Sequence, residues 1–172
     1  MNIAIVGATG NVGRKTLEVL EKKELEIDNL YLVASSRSAG IKIKFRGKEY
    51  EVEELDSFDF SKAKIIFFAA GGKISEKFAE KASKNSLVID NSSFFRMDPD
   101  VPLIVPQVNS EDLDSIKKNI IANPNCSTAQ LVIALKPLHD LFVIKRVVVS
   151  TYQSVSGGGK APMDELLSLI HI

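Results

Sequence analysis

Seven residues near the start of the chain, Gly7-Ala8-Thr9-Gly10-Asn11-Val12-Gly13, constrain its fold more than any other stretch. They follow Ile3-Ala4-Ile5-Val6, a continuous apolar run of the kind buried on both faces of a parallel sheet. A helical pattern comes next, with Val12, Leu17, Val19 and Leu20 apolar and Arg14, Lys15, Glu18 and Glu21 polar. Glycines between a strand and a helix permit a tight turn and a close backbone approach. The open N–H groups at the helix start, and its dipole, then favour a pyrophosphate. A glycine motif alone is weak evidence, but the strand–turn–helix setting favours nucleotide binding over a merely structural turn.

The pattern repeats downstream. Leu30 to Ala34 reads as a second strand, and Ile41 to Val52 as a hairpin turning near Gly47. Ile65 to Ala69 is another buried strand, closed by Gly71-Gly72, which either lines the same groove or only makes a turn. Ser75 to Lys84 has helical spacing, and Leu87 to Asp90 is again a strand. This alternation predicts an α/β fold: a Rossmann-like, doubly wound, mostly parallel sheet with helices on both faces. After Asp98 the texture changes, with Pro99, Pro102, Pro106 and Pro124 punctuating short segments. A domain boundary is expected near Asn123 to Cys126. It would divide a nucleotide-binding domain, 1–125, from a second segment, 126–172. There Ser127 to Leu138 predicts a helix and Val143 to Gln153 a long strand, followed by Gly157-Gly158-Gly159.

Composition excludes several classes. Lys+Arg and Asp+Glu are equal at 22 each, so no net field draws the chain to nucleic acid or an anionic membrane. The cluster Lys42, Lys44, Arg46 and Lys48 alternates as the wet face of a strand would. No apolar run approaches the roughly 18 residues of a membrane span, and Ile3 to Val6 is too short for a signal peptide core. A single cysteine forms no intramolecular disulfide, so the cytoplasm is the expected compartment. No metal site is expected.

The end of the second strand selects the cofactor. An NAD site usually places Asp or Glu there, but the stretch is Ala34-Ser35-Ser36-Arg37-Ser38-Ala39-Gly40. Arg37 can pair with a 2′-phosphate and the serine hydroxyls can donate to it, which points to NADP; an exposed loop arginine is the alternative.

Cys126 is preceded by Asn123-Pro124-Asn125 and followed by Ser127-Thr128-Ala129-Gln130, which puts it at a helix start, where the dipole favours a thiolate. A lone cysteine is more often an inert buried residue. Here Pro124 fixes the approach, polar residues surround the sulfur, and Asn125 is placed to steady an oxyanion, so the nucleophile reading is preferred.

These pieces together resemble the aspartate-semialdehyde dehydrogenase family. The matching blocks are Gly7 to Gly13, Ser35 to Gly40, Asp90-Asn91-Ser92-Ser93 through Phe95-Arg96-Met97, and Val101 to Pro106. They continue with Asn123 to Thr128 and with Thr151-Tyr152-Gln153-Ser154-Val155-Ser156-Gly157. The resemblance implies that Thr9 to Val12, Arg37-Ser38 and Ser156-Gly157 contact NADP. It implies that Cys126 forms the acyl-enzyme, that Arg96 binds phosphate or the phosphoryl group, and that Gln153 orients the substrate. Read alone, Arg96 is a solvated charge and Gln153 an ordinary strand residue. The implied reaction is attack of the Cys126 thiolate on aspartyl-4-phosphate, loss of phosphate, and reduction of the thioester by NADPH to aspartate semialdehyde. This chemistry serves lysine, methionine and threonine biosynthesis, in a homodimer or homotetramer.

The family also needs an acid/base histidine and a substrate-binding arginine late in its chain, and neither is found here. His139 reads as a capping or surface residue, and His171 is one residue from the C-terminus. The resemblance therefore implies that the chain is an N-terminal portion, with 126–172 the incomplete start of an α+β catalytic and dimerisation domain, inactive and poorly soluble by itself. Leu167-Ser168-Leu169-Ile170-His171-Ile172 resembles a one-frame translation of the end sequence used in transposase-based sequencing libraries, with a genuine short apolar terminus as the alternative. Two other functions remain open: N-acetyl-γ-glutamyl-phosphate reductase, disfavoured by the Arg96 and Gln153 blocks, and a non-catalytic NADP-binding module.

Overall fold

The computed structural model describes residues 1–169; His171 and the last three residues of the terminal hexapeptide lie outside them. The strands are β1 (Asn2–Val6), β2 (Asn29–Ala34), β3 (Lys42–Phe45), β4 (Lys48–Glu54), β5 (Ile65–Phe68), β6 (Leu87–Asp90) and β7 (Ile120–Ala122). The helices are α1 (Asn11–Lys22), α2 (Gly72–Ser83), α3 (Pro106–Asn109), α4 (Cys126–Phe142) and α5 (Lys160–Leu169). One seven-stranded sheet has the order β3-β4-β2-β1-β5-β6-β7. It is parallel throughout except for the β3–β4 hairpin. The Rossmann-like reading is thus what the chain adopts.

Alternation across the sheet explains the two cores. Ala4 and Val6 of β1 point to the face where Phe78, Ala79 and Ala82 of α2 pack. Ile3 and Ile5 point to the opposite face, against Leu17 and Leu20 of α1. With both faces covered and β2 and β5 as neighbours, β1 has no wet side, which is why its apolar run is unbroken. The crossovers leave β1 to one side for β2 and return to the other side for β5, so the order switches at β1. Ligands of such sheets bind at the C-terminal edge beside that point.

Several expectations are corrected. Val12 and Val19 are half-exposed, because α1 sits over β1 and β2 and leaves part of the same sheet face open. They line an open groove of about 370 Å³ with Thr16, Phe67, Ile89 and Asn91. Arg46 is not on a wet strand face. It occupies the hairpin turn with φ 47° and donates to the carbonyls of Leu20, Lys23 and Leu25 at the end of α1. Gly47, φ 76°, completes that turn as expected. The helix expected over Ser127 to Leu138 runs on to Phe142 through Pro137, steadied by the Lys136–Asp140 pair at 2.6 Å, and ends where Val143 turns left-handed at φ 53°. Val143 to Gln153 is not a strand. A strand is defined by its ladder, and no neighbour among the described residues supplies one, so Val148 stands 80% exposed. Among the described residues, no helix is long and apolar enough to cross a membrane.

Candidate active site

The turn between β1 and α1 is built by close packing. Gly7 takes φ 86°, its N–H bonds the Val33 carbonyl at 2.8 Å, and a Cβ there would lie 2.8 Å from the Ala69 backbone. Gly13 seats the first turn of α1 on that loop; a Cβ would overlap the Gly7 carbonyl oxygen. The helix start is left uncapped. Gly10 has no side chain to cap it, no acid lies in the first turn, and the N–H groups of Asn11, Val12 and Gly13 find no acceptor among the described residues. Three converging donors at the positive end of a twelve-residue helix form an anion cradle.

Around this cradle lies a groove of about 520 Å³. Gly7, Thr9, Gly10, Asn11 and Val12 form its floor, with Arg37 on one rim and Ser156 and Gly157 on the other. These eight expected cofactor residues are therefore brought together. Ser38 joins through its hydroxyl, 3.4 Å from Thr9 Oγ1, and Gly13 lies beneath the turn. The far rim is held in place where Asn11 Nδ2 meets Met163 Sδ of α5 at 3.3 Å. Two features escaped the sequence reading. Lys160 lines the groove, and the β5 side is lined by Ala69 and Ala70, whereas Gly71, φ 88°, serves as the turn into α2. Among the described residues no carboxylate lines the groove, which carries the two cations Arg37 and Lys160.

The cysteine stands at the same edge, three strands away from β1, or roughly 14 Å at about 4.8 Å per strand step. Cys126 is exposed at the first position of α4. Asn125 caps that helix: its Oδ1 accepts from the Ser127 N–H at 3.0 Å and the Ser127 hydroxyl at 2.7 Å, with Cys126 Sγ at 3.7 Å. That leaves the Asn125 amide N–H groups available as donors beside the sulfur.

Arg96 is not a solvated charge. It is half-buried, its Nε donates to the Asn123 carbonyl at 2.9 Å and its Nη2 to the Asn91 carbonyl at 3.1 Å, so it ties the loop after β6 to the segment that leads into Cys126. Asn123 Nδ2 donates to Asn91 Oδ1 at 2.8 Å across the same gap. Beneath them Asp90 is fully buried and accepts from the hydroxyls of Ser75 and Ser92, both at 2.6 Å. The sequence signal for this was present but unused: Asp ending a buried strand with Ser two residues on is an Asx-turn pattern. Gln153 is the residue not gathered in. It is exposed on the unpaired segment, with its carboxamide against Gly157. Asp98, in the same loop as Arg96, has its carboxyl held below the usual range, first by the Lys118 ammonium at 2.8 Å and then by the Asp100 N–H.

The semialdehyde dehydrogenase NAD binding domain model matches residues 2–116, and the dimerisation domain model matches residues 135–170. The chain belongs to the semialdehyde dehydrogenase family. Among curated relatives, an aspartate-semialdehyde dehydrogenase of Aquifex aeolicus is 56% identical over 167 residues, covering 95% of this chain and 49% of the relative. Among solved structures, aspartate semialdehyde dehydrogenase II of Vibrio cholerae, complexed with ASA, superposes with TM-score 0.94 at 50% identity, covering 97% of this chain and 50% of that one. The enzyme of Candida albicans with NADP gives TM-score 0.69 at 31% identity, over 84% and 48% of the two chains. The chain spans about half the length of the curated relatives it matches. In this semialdehyde dehydrogenase chain, the glycine turn lies within the NAD binding domain match, the Ser156–Gly157 rim of its groove lies within the dimerisation domain match, and Cys126 falls between the two.

Proposed function

We propose that the whole protein is an NADP-dependent aspartate-semialdehyde dehydrogenase that converts aspartyl-4-phosphate to aspartate semialdehyde through a thioester on Cys126. The observation that carries this reading is the shared edge. An exposed cysteine at a capped helix start stands on the same sheet edge as an uncapped helix over a glycine turn, three strands away. Relatives named for this activity support it.

The groove fits the cofactor. Gly7, Gly10 and Gly13 would let the backbone close on a pyrophosphate, and the N–H groups of Asn11, Val12 and Gly13 would donate to it. Thr9, Ser156 and Gly157 line its path. Arg37 and Ser38 would take the 2′-phosphate, and a groove rim with two cations and no acid among the described residues favours NADP over NAD. When bound, the nicotinamide supplies the hydride that reduces the thioester.

The chain's own residues do the rest. The Cys126 thiolate attacks the acyl carbonyl, its S–C bond forms, and the C–O bond to the phosphoryl group breaks as phosphate leaves. The Asn125 amide donates to the oxyanion formed on the way. Arg96, already oriented by two carbonyls, has N–H groups left for the phosphate. Gln153 orients the substrate, which requires its segment to be seated differently from its exposed position here. We place the domain boundary between Asn125 and Cys126, and the whole protein in the cytoplasm as a homodimer or homotetramer, in keeping with the dimerisation domain match. No observation favours N-acetyl-γ-glutamyl-phosphate reductase or a non-catalytic module.

The test is a substrate panel on the whole protein. Phosphate-dependent reduction of NADP with aspartate semialdehyde is expected, and little with N-acetylglutamate semialdehyde. The reverse preference would reject the reading.

A further inference from the structure

Asp90 is a carboxylate with 0% exposure and no lysine or arginine against it among the described residues. Such a group is costly to bury, and here three donors hold it: Ser75 Oγ from α2, and the N–H and Oγ of Ser92 from the loop after β6. Ser92 passes the constraint on, because its Oγ accepts from the Phe94 N–H at 3.1 Å. Two residues later Arg96 reaches back to the carbonyls of Asn91 and Asn123. The Asn123 N–H closes the circuit on the Asp90 carbonyl at 2.8 Å. Apart from Ser75, every link lies between the end of β6 and the entry to Cys126, and Arg96 Nη1 finds no acceptor among the described residues.

We infer that Asp90, acting through Ser92, is a positioning residue that fixes the loop so that the Arg96 guanidinium is presented to phosphate beside Cys126. The inference rests on the phosphate role proposed for Arg96. The carboxylate gives the loop one arrangement by accepting three donors at once, two of them from the loop itself. Asparagine in its place would reverse the bond to Ser92, its amide N–H donating to Oγ, and would turn the charge-assisted bonds into weaker neutral ones.

The test uses the whole protein and inorganic phosphate, which should protect Cys126 from alkylation by iodoacetamide. Ser92→Ala and Asp90→Asn should each raise the half-protecting phosphate concentration roughly tenfold, the scale of one lost hydrogen bond to a charged group. NADP affinity should stay within about twofold, because the glycine turn is not in this circuit. Ser92→Thr, which keeps the hydroxyl, should restore protection. Adding Ser92→Ala to Arg96→Ala should weaken protection no further, since both act through the same guanidinium. If phosphate protects the parent and Ser92→Ala equally, the inference fails while the reading of the site stands. If Ser92→Ala weakens NADP binding as much as phosphate protection, Asp90 serves the fold alone and the inference also fails. If phosphate does not protect even the parent protein, the proposed role of Arg96 falls, and this inference with it.

Discussion

Alanine at position 13 probes the cofactor cradle through backbone packing alone. An added Cβ would overlap the Gly7 carbonyl oxygen and fall 2.8 Å from Ala8 Cα and 2.9 Å from Gly7 C. Carbon atoms rest about 3.5–4.0 Å apart, so the first turn of α1 must retreat by roughly 1 Å. All three obstacles are backbone, and none can swing aside. Overpacking of this kind costs about 1–3 kcal/mol, while alanine in a helix recovers about 1 kcal/mol over glycine, so stability falls only slightly. Affinity responds more strongly. A hydrogen bond near 2.9 Å that lengthens by roughly 1 Å is lost, and each bond to a charged phosphate contributes about 1.5–3 kcal/mol. Losing one of the three amide donors weakens NADPH binding at least about tenfold. Fluorescence titration of NADPH on the whole protein measures this. Gly47→Ala is the control: at φ 76° with nothing within 4 Å of its Cβ, it strains a distant hairpin at about 1–2 kcal/mol and leaves affinity unchanged. Parental NADPH affinity in Gly13→Ala would refute the cradle.

Arg37→Ala should weaken NADP binding by about 10- to 150-fold, equivalent to about 1.5–3 kcal/mol, and leave NAD nearly unaffected; an unchanged NADP/NAD ratio would remove Arg37 from the site. Asp98 is depressed in the folded state, so its bond to Lys118 contributes stability above the ordinary carboxylate range and loses it as pH falls through the depressed value. Its NMR titration midpoint should lie below 3.8 and move back up in Lys118→Ala; no movement would assign the depression to another partner. Arg46→Ala removes donors from three carbonyls at the end of α1, and on this exposed surface should cost about 1 kcal/mol, lowering Tm by about 2–4 °C. An unchanged Tm would mean that water replaces them at no cost.

The parallel sheet was legible because its strands write continuous apolar runs: Ile3 to Val6 is buried on both faces, and Ile65 to Phe68 buries Ile66 and Phe68 fully while Ile65 and Phe67 are half-buried on the other face. The nucleotide turn was legible because glycines at 7 and 13 answer steric demands that other side chains cannot meet. Residues whose roles depend on distant partners were not legible. Arg46 looks like one more cation in an alternating row until the hairpin turn places it under α1. Arg96 meets Asn123 across 27 positions of sequence, and Lys160 reaches the groove only because α5 returns to α1. Val143 to Gln153 has the side-chain pattern of a strand, but pairing belongs to two segments, and pattern reports only one.

The central claim is that Cys126 carries the acyl group, and mass spectrometry of the whole protein tests it most directly. After incubation with aspartyl-4-phosphate in the absence of NADPH, an aspartyl adduct is expected on the peptide that contains Cys126. Cys126→Ser should show no adduct while still binding NADP, because Cys126 does not line the cofactor groove. An adduct that persists in Cys126→Ser, or that maps to another residue in the parent protein, would contradict the account.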